Sequence, residues 1–193
     1  MGNTQTILVP QASSFPGVQK NARLILNWLS ALKVVQRDAS HCVPNPQNLG
    51  YARAERADWI LAGEVTWPSE SNPALRDGLE IITDRCIYTP EVGFKRRAHC
   101  PQCRKAVGEA LFEHLEQWMP AETDNFICPV CGFEDDINGF RFPQACGFSD
   151  LGFIFHNWPD AEFSPSFLRE LRERLGFPIS VVRVICADKK TSA

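Results

Sequence analysis

Eight cysteines occur in a chain of 193 residues, and four of them form two knuckles, Cys100-Pro-Gln-Cys103 and Cys128-Pro-Val-Cys131-Gly132. Two residues between the cysteines of each knuckle let both thiolates turn toward one ion, and Pro101 and Pro129 stiffen the turns. The chemistry this donor set suits is one structural, tetrahedral Zn2+ per chain, held by Cys100, Cys103, Cys128 and Cys131. Zinc on four thiolates contributes on the order of 10–16 kcal/mol in small peptides, comparable to the stability of a whole domain. Such a site can fold its surroundings without a large core of its own.

Other uses of these thiols fit less well. A redox CxxC stands singly at the start of a helix beside a βαβ pattern, whereas this chain carries two copies with matching prolines. Disulfides need an oxidising compartment, and Met1 to Pro10 has no basic segment followed by an apolar one that would direct export. Four thiolates also hold iron, which stays open as an alternative metal. Cys42, Cys86, Cys146 and Cys186 are scattered as buried thiols are, and a reduced, cytoplasmic protein is the expectation. No apolar stretch reaches 18 residues, so no membrane span is expected.

Catalytic groupings are sparse. There is no G-x-x-x-x-G-K-[ST] and no G-x-G-x-x-G after a strand, which leaves nucleotide hydrolysis and dinucleotide chemistry without support. Four cysteines close a zinc site, whereas catalytic zinc keeps a position open. His41-Cys42 lies in a Pro-rich loop with no orienting acid nearby in sequence, so it reads as ordinary loop. Cys146, in Ala-Cys-Gly-Phe, echoes Cys131-Gly-Phe and reads as a buried thiol or a spare metal ligand. His156, near the end of a strand and alternating with Ile154, reads as a packed or surface group. No catalytic residue is assigned.

Charge supplies the other lead. Lys95, Arg96, Arg97, Arg104 and Lys105 place five cations within the eleven residues 95–105, with no acid among them, and His99 adds to the patch. Basic patches beside zinc sites meet nucleic-acid phosphates. Against this, four thiolates on Zn2+ leave a charge of −2 that neighbouring cations neutralise, and Glu134, Asp135 and Asp136 follow the second knuckle. The whole chain is acidic, at −3, where a dedicated nucleic-acid binder is usually basic.

The elements that must position these groups follow from periodicity. Between the knuckles, Val107, Ala110, Leu111, Leu115 and Trp118 recur at three and four, predicting a helix over Ala106 to Trp118 that Pro120 stops. Phe126, Ile127, Phe133 and Phe140 are the expected packing partners of the metal site. N-terminal to it, Thr6 to Val9 reads as a strand, Val18 to Val35 as a helix, Ser40 to Gly50 as a loop, and Trp59 to Val65 and Leu79 to Tyr88 as strands. C-terminal to it, Leu151 to Trp158 reads as a strand and Ser164 caps a helix starting at Pro165 and closed by Gly176. Ile179 to Ile185 is β-branched enough to sit centrally in a sheet.

This order predicts an α+β, ferredoxin-like sandwich of two βαβ-like halves with four to five strands, interrupted by a zinc-binding insertion that contains a helix. The expected division is 1–94 for the N-terminal half, 95–142 for the insertion and 143–193 for the C-terminal half.

Over Cys100 to Gly132 the knuckles resemble zinc-ribbon proteins, a likeness specific for metal and nearly silent on activity. Gly152-Phe-Ile-Phe-His-Asn-Trp158, Phe167-Leu-Arg-Glu-Leu171 and Leu175-Gly176 look similar to a group of proteobacterial proteins labelled as sugar-transporter ATPases. The Walker A lysine and glycines that such a label requires are missing, so the activity does not carry over. The expected function is non-enzymatic protein binding, as an adaptor or an inhibitor of the bacterial immunity type, with Trp59, Trp67, Trp118 and Trp158 as candidate contact residues. Nucleic-acid binding through the basic patch is the alternative, and an enzyme with an unrecognised site the third. Oligomeric state is open.

Overall fold

The structure, a computed structural model, describes residues 3–72, 74–90, 93–159 and 162–185; Cys186 lies outside the described residues. Strand β1 (Thr4–Pro10) alternates strictly, with Leu8 facing one side and Ile7 and Val9 the other. Helix α1 (Val18–Ala31) buries Ala22, Ile25 and Leu29 along one stripe. It ends four residues before the expected Val35, because Lys33 turns to a left-handed φ of 60° and Val34 and Val35, both fully buried, leave the helix to begin β2 (Val35–Ser40). Strand β3 (Gly50–Arg53), a single helical turn α2 (Pro68–Ser71) and β4 (Gly78–Ile82) follow.

After β5 (Cys86–Tyr88), the knuckle segment contributes α3 (Gly108–Trp118), β6 (Asn125–Ile127) and β7 (Glu134–Asp136). Then come β8 (Gly147–Ser149), β9 (Gly152–His156), α4 (Pro165–Leu175) and β10 (Ile179–Ile185). Helix α4 begins as its sequence requires: the Ser164 hydroxyl accepts from the Phe167 N–H, Pro165 is first in the helix, and Gly176 closes it at a φ of 73°.

Six strands form one antiparallel sheet in the order β10-β1-β9-β4-β3-β2. Helix α1 carries the chain from β1 to the far edge strand β2, and α4 carries it from β9 past β1 to β10. Both helices pack on one face, where Leu8, Leu79, Phe153 and Phe155 meet Ile25, Leu29, Phe167 and Leu171. Burial of this kind stabilises by about 1.5–3 kcal/mol for each large apolar side chain. On the opposite face a two-stranded sheet, β5 with β8, covers Ile7, Val9, Val182 and Val184 through Tyr88.

The molecule is thus a mixed α/β protein with three full helices among the described residues and a mainly antiparallel sheet. The sheet has six strands rather than four or five. The uncounted ones are β2, where only Val35 is buried in the run Val-Gln-Arg-Asp-Ala-Ser, and the short β3. A charged edge strand buries no face and leaves no period-two signal, but it guards the sheet against edge-to-edge pairing.

Three further expectations differ. Trp59 to Val65 is no strand: Ala57–Ile60 is a 3-10 turn, and only Leu61 bridges, to Phe163. Leu79 to Tyr88 is divided between two layers, β4 and β5. β10 lies at an edge, paired only with β1, because its valines are buried by layers above and below rather than by strands on both sides.

Candidate metal centre

Each knuckle is built by a tight reversal of the backbone. Ahead of the first, His99 forms bridges to Ala106 and to Arg141; within it, the Arg104 N–H donates to Cys100 O at 3.0 Å and the Cys100 N–H to Lys105 O at 3.0 Å. The second sits at the tip of the β6–β7 hairpin, where the Gly132 N–H donates to Cys128 O at 2.9 Å and the Cys128 N–H to Phe133 O at 2.8 Å. In both, the residue after the second cysteine adopts a left-handed backbone, Gly132 at a φ of 75° and Arg104 at 62°. Glycine does this freely; arginine does not, and its presence there reflects a turn determined by its surroundings.

These turns bring all four Sγ atoms within 4.8 Å of one another. Cys100 and Cys131 approach to 3.7 Å and Cys103 and Cys128 to 3.8 Å, across rather than within the knuckles. Metal–sulfur bonds of ~2.3 Å in a tetrahedron place sulfurs roughly 3.8 Å apart, so the spacing fits a single ion, while a disulfide would need ~2.05 Å. The four thiols are free cysteines.

Protonation points the same way. Burial opposes ionisation of Cys100, yet N–H groups of Cys103 and Gln102 directed at its sulfur bring it down to about 7. The Phe133 N–H likewise favours a thiolate at Cys131, but burial and the thiols of Cys103, Cys128 and Cys100 push it up to about 12. A thiolate at Cys100 thus opposes a second at Cys131 until a cation compensates their mutual repulsion.

Around the sulfurs lies a second hydrophobic core. Val107, Leu111, Phe112, Leu115 and Trp118 of the α3 segment pack on Phe126, Ile137, Phe140 and Phe148. Phe126 and Phe140 are buried as expected and Phe133 half-buried. Ile127, expected in this core, is 56% exposed, because β6 is too short and too peripheral to be covered on both faces. Phe148 arrives from β8, outside the segment read as the insertion. Cys146 packs into this core, apart from the four-sulfur group, and burial pushes its thiol up to about 12.

Lys95, Arg96, Arg97, His99, Arg104 and Lys105 are all exposed. Arg96 stacks its guanidinium 5.2 Å from the Phe112 ring centre. His99 and Arg104 join Arg141, Phe142 and Pro143 around a cavity of about 310 Å³ beside Cys100. Arg141 has no local sequence signal; the His99–Arg141 bridge alone places it there. Of the tryptophans read as contact candidates, Trp67, Trp118 and Trp158 are buried and only Trp59 is exposed.

His156 departs most from the reading of an ordinary packed group. It is 4% exposed, and its Nε2 lies 2.7 Å from Glu80 Oε2 in a buried ion-pair geometry. Glu80, hidden in the apolar-looking run Gly-Leu-Glu-Ile-Ile, offered its lone acid as the signal. Its carboxyl is held below the ordinary carboxylate value, chiefly by the hydrogen bond with His156, against the opposing effect of burial.

No helix among the described residues is long and apolar enough to cross a membrane. Comparison with protein-family models, curated proteins and solved structures finds no match. The resemblances to zinc ribbons and to the transporter-labelled proteins therefore rest on the quoted motifs alone.

Proposed function

We propose that this chain is a protein-binding module, an adaptor or an inhibitor of the immunity type, whose recognition surface is held by one structural zinc. The observation that carries the reading is the exposure of Ile127 (56%) and Val130 (58%) next to Cys128 and inside the second knuckle. Apolar side chains on a rigid, metal-fastened tip lose little conformational entropy on binding and gain the burial they lack in the free chain. Four thiolates leave zinc no open position, so the metal organises the surface and carries no chemistry. Reduced thiols at this density fit the cytoplasm. The body, with its two split crossovers and one added strand pair, is read as an elaborated ferredoxin-like sandwich of 1–94 and 143–193, with 95–142 inserted.

The test is a photo-crosslinking residue at Val130 in the native host, with Leu24, equally exposed on α1, as the control position. A discrete protein adduct from position 130, lost in Cys128→Ser, is expected. Absence of any adduct at 130, or the same adducts from 24, would reject the reading.

A second reading is favoured by the cavity lined by His99, Arg104 and Arg141, whose basic side chains suit a phosphate. Binding to single- and double-stranded nucleic acid across a salt series decides between the two. The protein-binding reading expects negligible affinity at physiological salt. Tight, salt-sensitive binding that weakens when Arg96, Arg97, Arg104 and Lys105 are neutralised together would replace it.

A further inference from the structure

On the face of the sheet opposite α1 and α4, a second group of reactive side chains lies apart from the metal lobe. His156 on β9 is paired with Gly78 on β4, and Glu80 stands two residues along β4 on the same face. Side chains of directly paired residues in an antiparallel ladder stand about 4.5–5.5 Å apart at Cβ. At Gly78 there is no side chain, and Cys42 occupies the vacancy: a Cβ built there would come 2.6 Å from Cys42 Sγ. Gly50 on β3 makes room from the other side, its own Cβ position lying 3.4 Å from the same sulfur and 2.4 Å from Val43 Cγ1. Two glycines on adjacent strands thus seat a loop cysteine beside His156.

The imidazole is held for use from one side only. Nε2 is engaged by Glu80, whose other oxygen accepts from Asn48 Nδ2 at 2.6 Å. Nδ1 is buried and has no hydrogen-bond partner among the described residues. A buried ring nitrogen without a partner is costly unless another group completes it, and the Cys42 thiol, seated at the side-chain position of the paired Gly78, makes no hydrogen bond to it in this resting arrangement and would reach it by rotating about its Cα–Cβ bond. Cys42 is half-buried, while His156 and Glu80 are both buried, at 4% and 8% exposed.

We propose that Cys42 is a nucleophilic thiol served by His156 as proton acceptor, with Glu80 as a positioning residue, and that it exchanges with low-molecular-weight disulfides. The Cys42 thiol gives its proton to His156 Nδ1, and the thiolate attacks one sulfur of the disulfide. A Cys42–sulfur bond forms as the original S–S bond breaks. The departing thiolate takes the proton from His156 and leaves as a thiol, so one disulfide replaces another and no further oxidant is consumed. Exposed Arg76, whose guanidinium donates at 2.6 Å to the carbonyl of His41, the residue before Cys42, puts a cation on the loop that carries Cys42 and favours an anionic disulfide. The other titratable groups near the cluster are Cys86 and Tyr88 on β5, both within electrostatic reach of Glu80, and exposed His41, next to Cys42 in sequence.

The experiment exposes the metal-loaded full chain to oxidised glutathione at pH 6.5 and follows each cysteine by peptide mass spectrometry. Cys42 is expected to be modified at least about tenfold faster than the same cysteine in the chain unfolded with urea and chelator, a comparison that needs no variant. Buried Cys146 is the unreactive internal control. His156→Gln should abolish the enhancement, and Glu80→Gln should lower it and move the pH profile of the rate. A Cys42 no faster in the native chain than in the unfolded one, or unaffected by His156→Gln in a folded variant, overturns the proposal. Rapid alkylation by iodoacetamide without any exchange with the disulfide overturns the substrate class.

Discussion

The indole Nε1 of Trp118 donates a 2.8 Å hydrogen bond to Ser13 Oγ, joining the last turn of α3 to the loop after β1 across 105 residues of sequence. Both residues are fully buried. The Ser13 N–H and hydroxyl in turn donate to the two carboxylate oxygens of Asp136, at 2.9 and 3.1 Å. Arg85 closes the same junction, donating to Trp118 O, Thr123 O, Asp124 and Ser14 Oγ while its guanidinium lies 4.7 Å from the Trp118 ring centre. The metal lobe is thereby fastened to the body through a buried polar joint.

Ser13→Ala tests that joint. It leaves the Trp118 N–H without its acceptor inside the protein and removes one donor from Asp136, at a cost of about 1–3 kcal/mol. For a chain of this size each kcal/mol lowers Tm by about 2–4 °C. The metal content should not change, since Ser13 lies outside the four-sulfur group. Thermal unfolding and metal analysis of the same preparation check both halves; an unchanged Tm would mean that the joint carries no net stability.

Chelation should spread through the same contacts. Loss of the ion removes the restraint on Cys100, Cys103, Cys128 and Cys131, and amide protection should fall first over residues 95–142. Because Trp118 and Asp136 hold Ser13, and Phe148 belongs to the lobe core, protection should also weaken at 13–15 and in β8, while β1, β4, β9 and α4 persist. Hydrogen exchange with and without a strong chelator measures this. Uniform loss across the chain would put the metal in the central core, and loss confined to 95–142 would show that the joint does not transmit.

What the sequence revealed tracks how much each feature depends on neighbours in sequence. The knuckles, α3, α4 with its Ser164 and Gly176 ends, and the span of β10 each carry their own signal within a dozen residues. Strand β2 carries none, since its burial is one valine, and the edge position of β10 depends on pairings made elsewhere. The Cys42, Glu80 and His156 cluster was illegible for the same reason. Its members come from a loop and two strands, and the glycines that seat the thiol show their purpose only in three dimensions.

Replacing Cys128 by Ser should reduce metal from one equivalent per chain toward none, because a three-thiolate set loses much of the affinity of four. Cys146→Ser should leave the stoichiometry at one, since that sulfur packs into the core away from the cluster. Metal analysis on protein purified without chelator decides. Iron in place of zinc, or metal loss in the Cys146 variant, would contradict the assignment.

Acid titration isolates the Glu80–His156 pair. The folded carboxyl of Glu80 lies below its ordinary value of 4.5, with the His156 hydrogen bond as the largest cause. A depressed carboxylate contributes stability that is fully present above the unfolded value and disappears as pH falls through the folded one. Glu80→Gln should therefore be less stable than the parent at pH 4.5, with the gap narrowing as pH falls below it. Asp150 runs the other way, its carboxyl raised chiefly by burial, but it is common to both proteins and cancels in the difference. Urea unfolding of the two chains from pH 3 to pH 7 supplies the curve. A gap that stays constant through the acid range would show that Glu80 stabilises the fold by packing and hydrogen bonding alone, and that its charge contributes nothing.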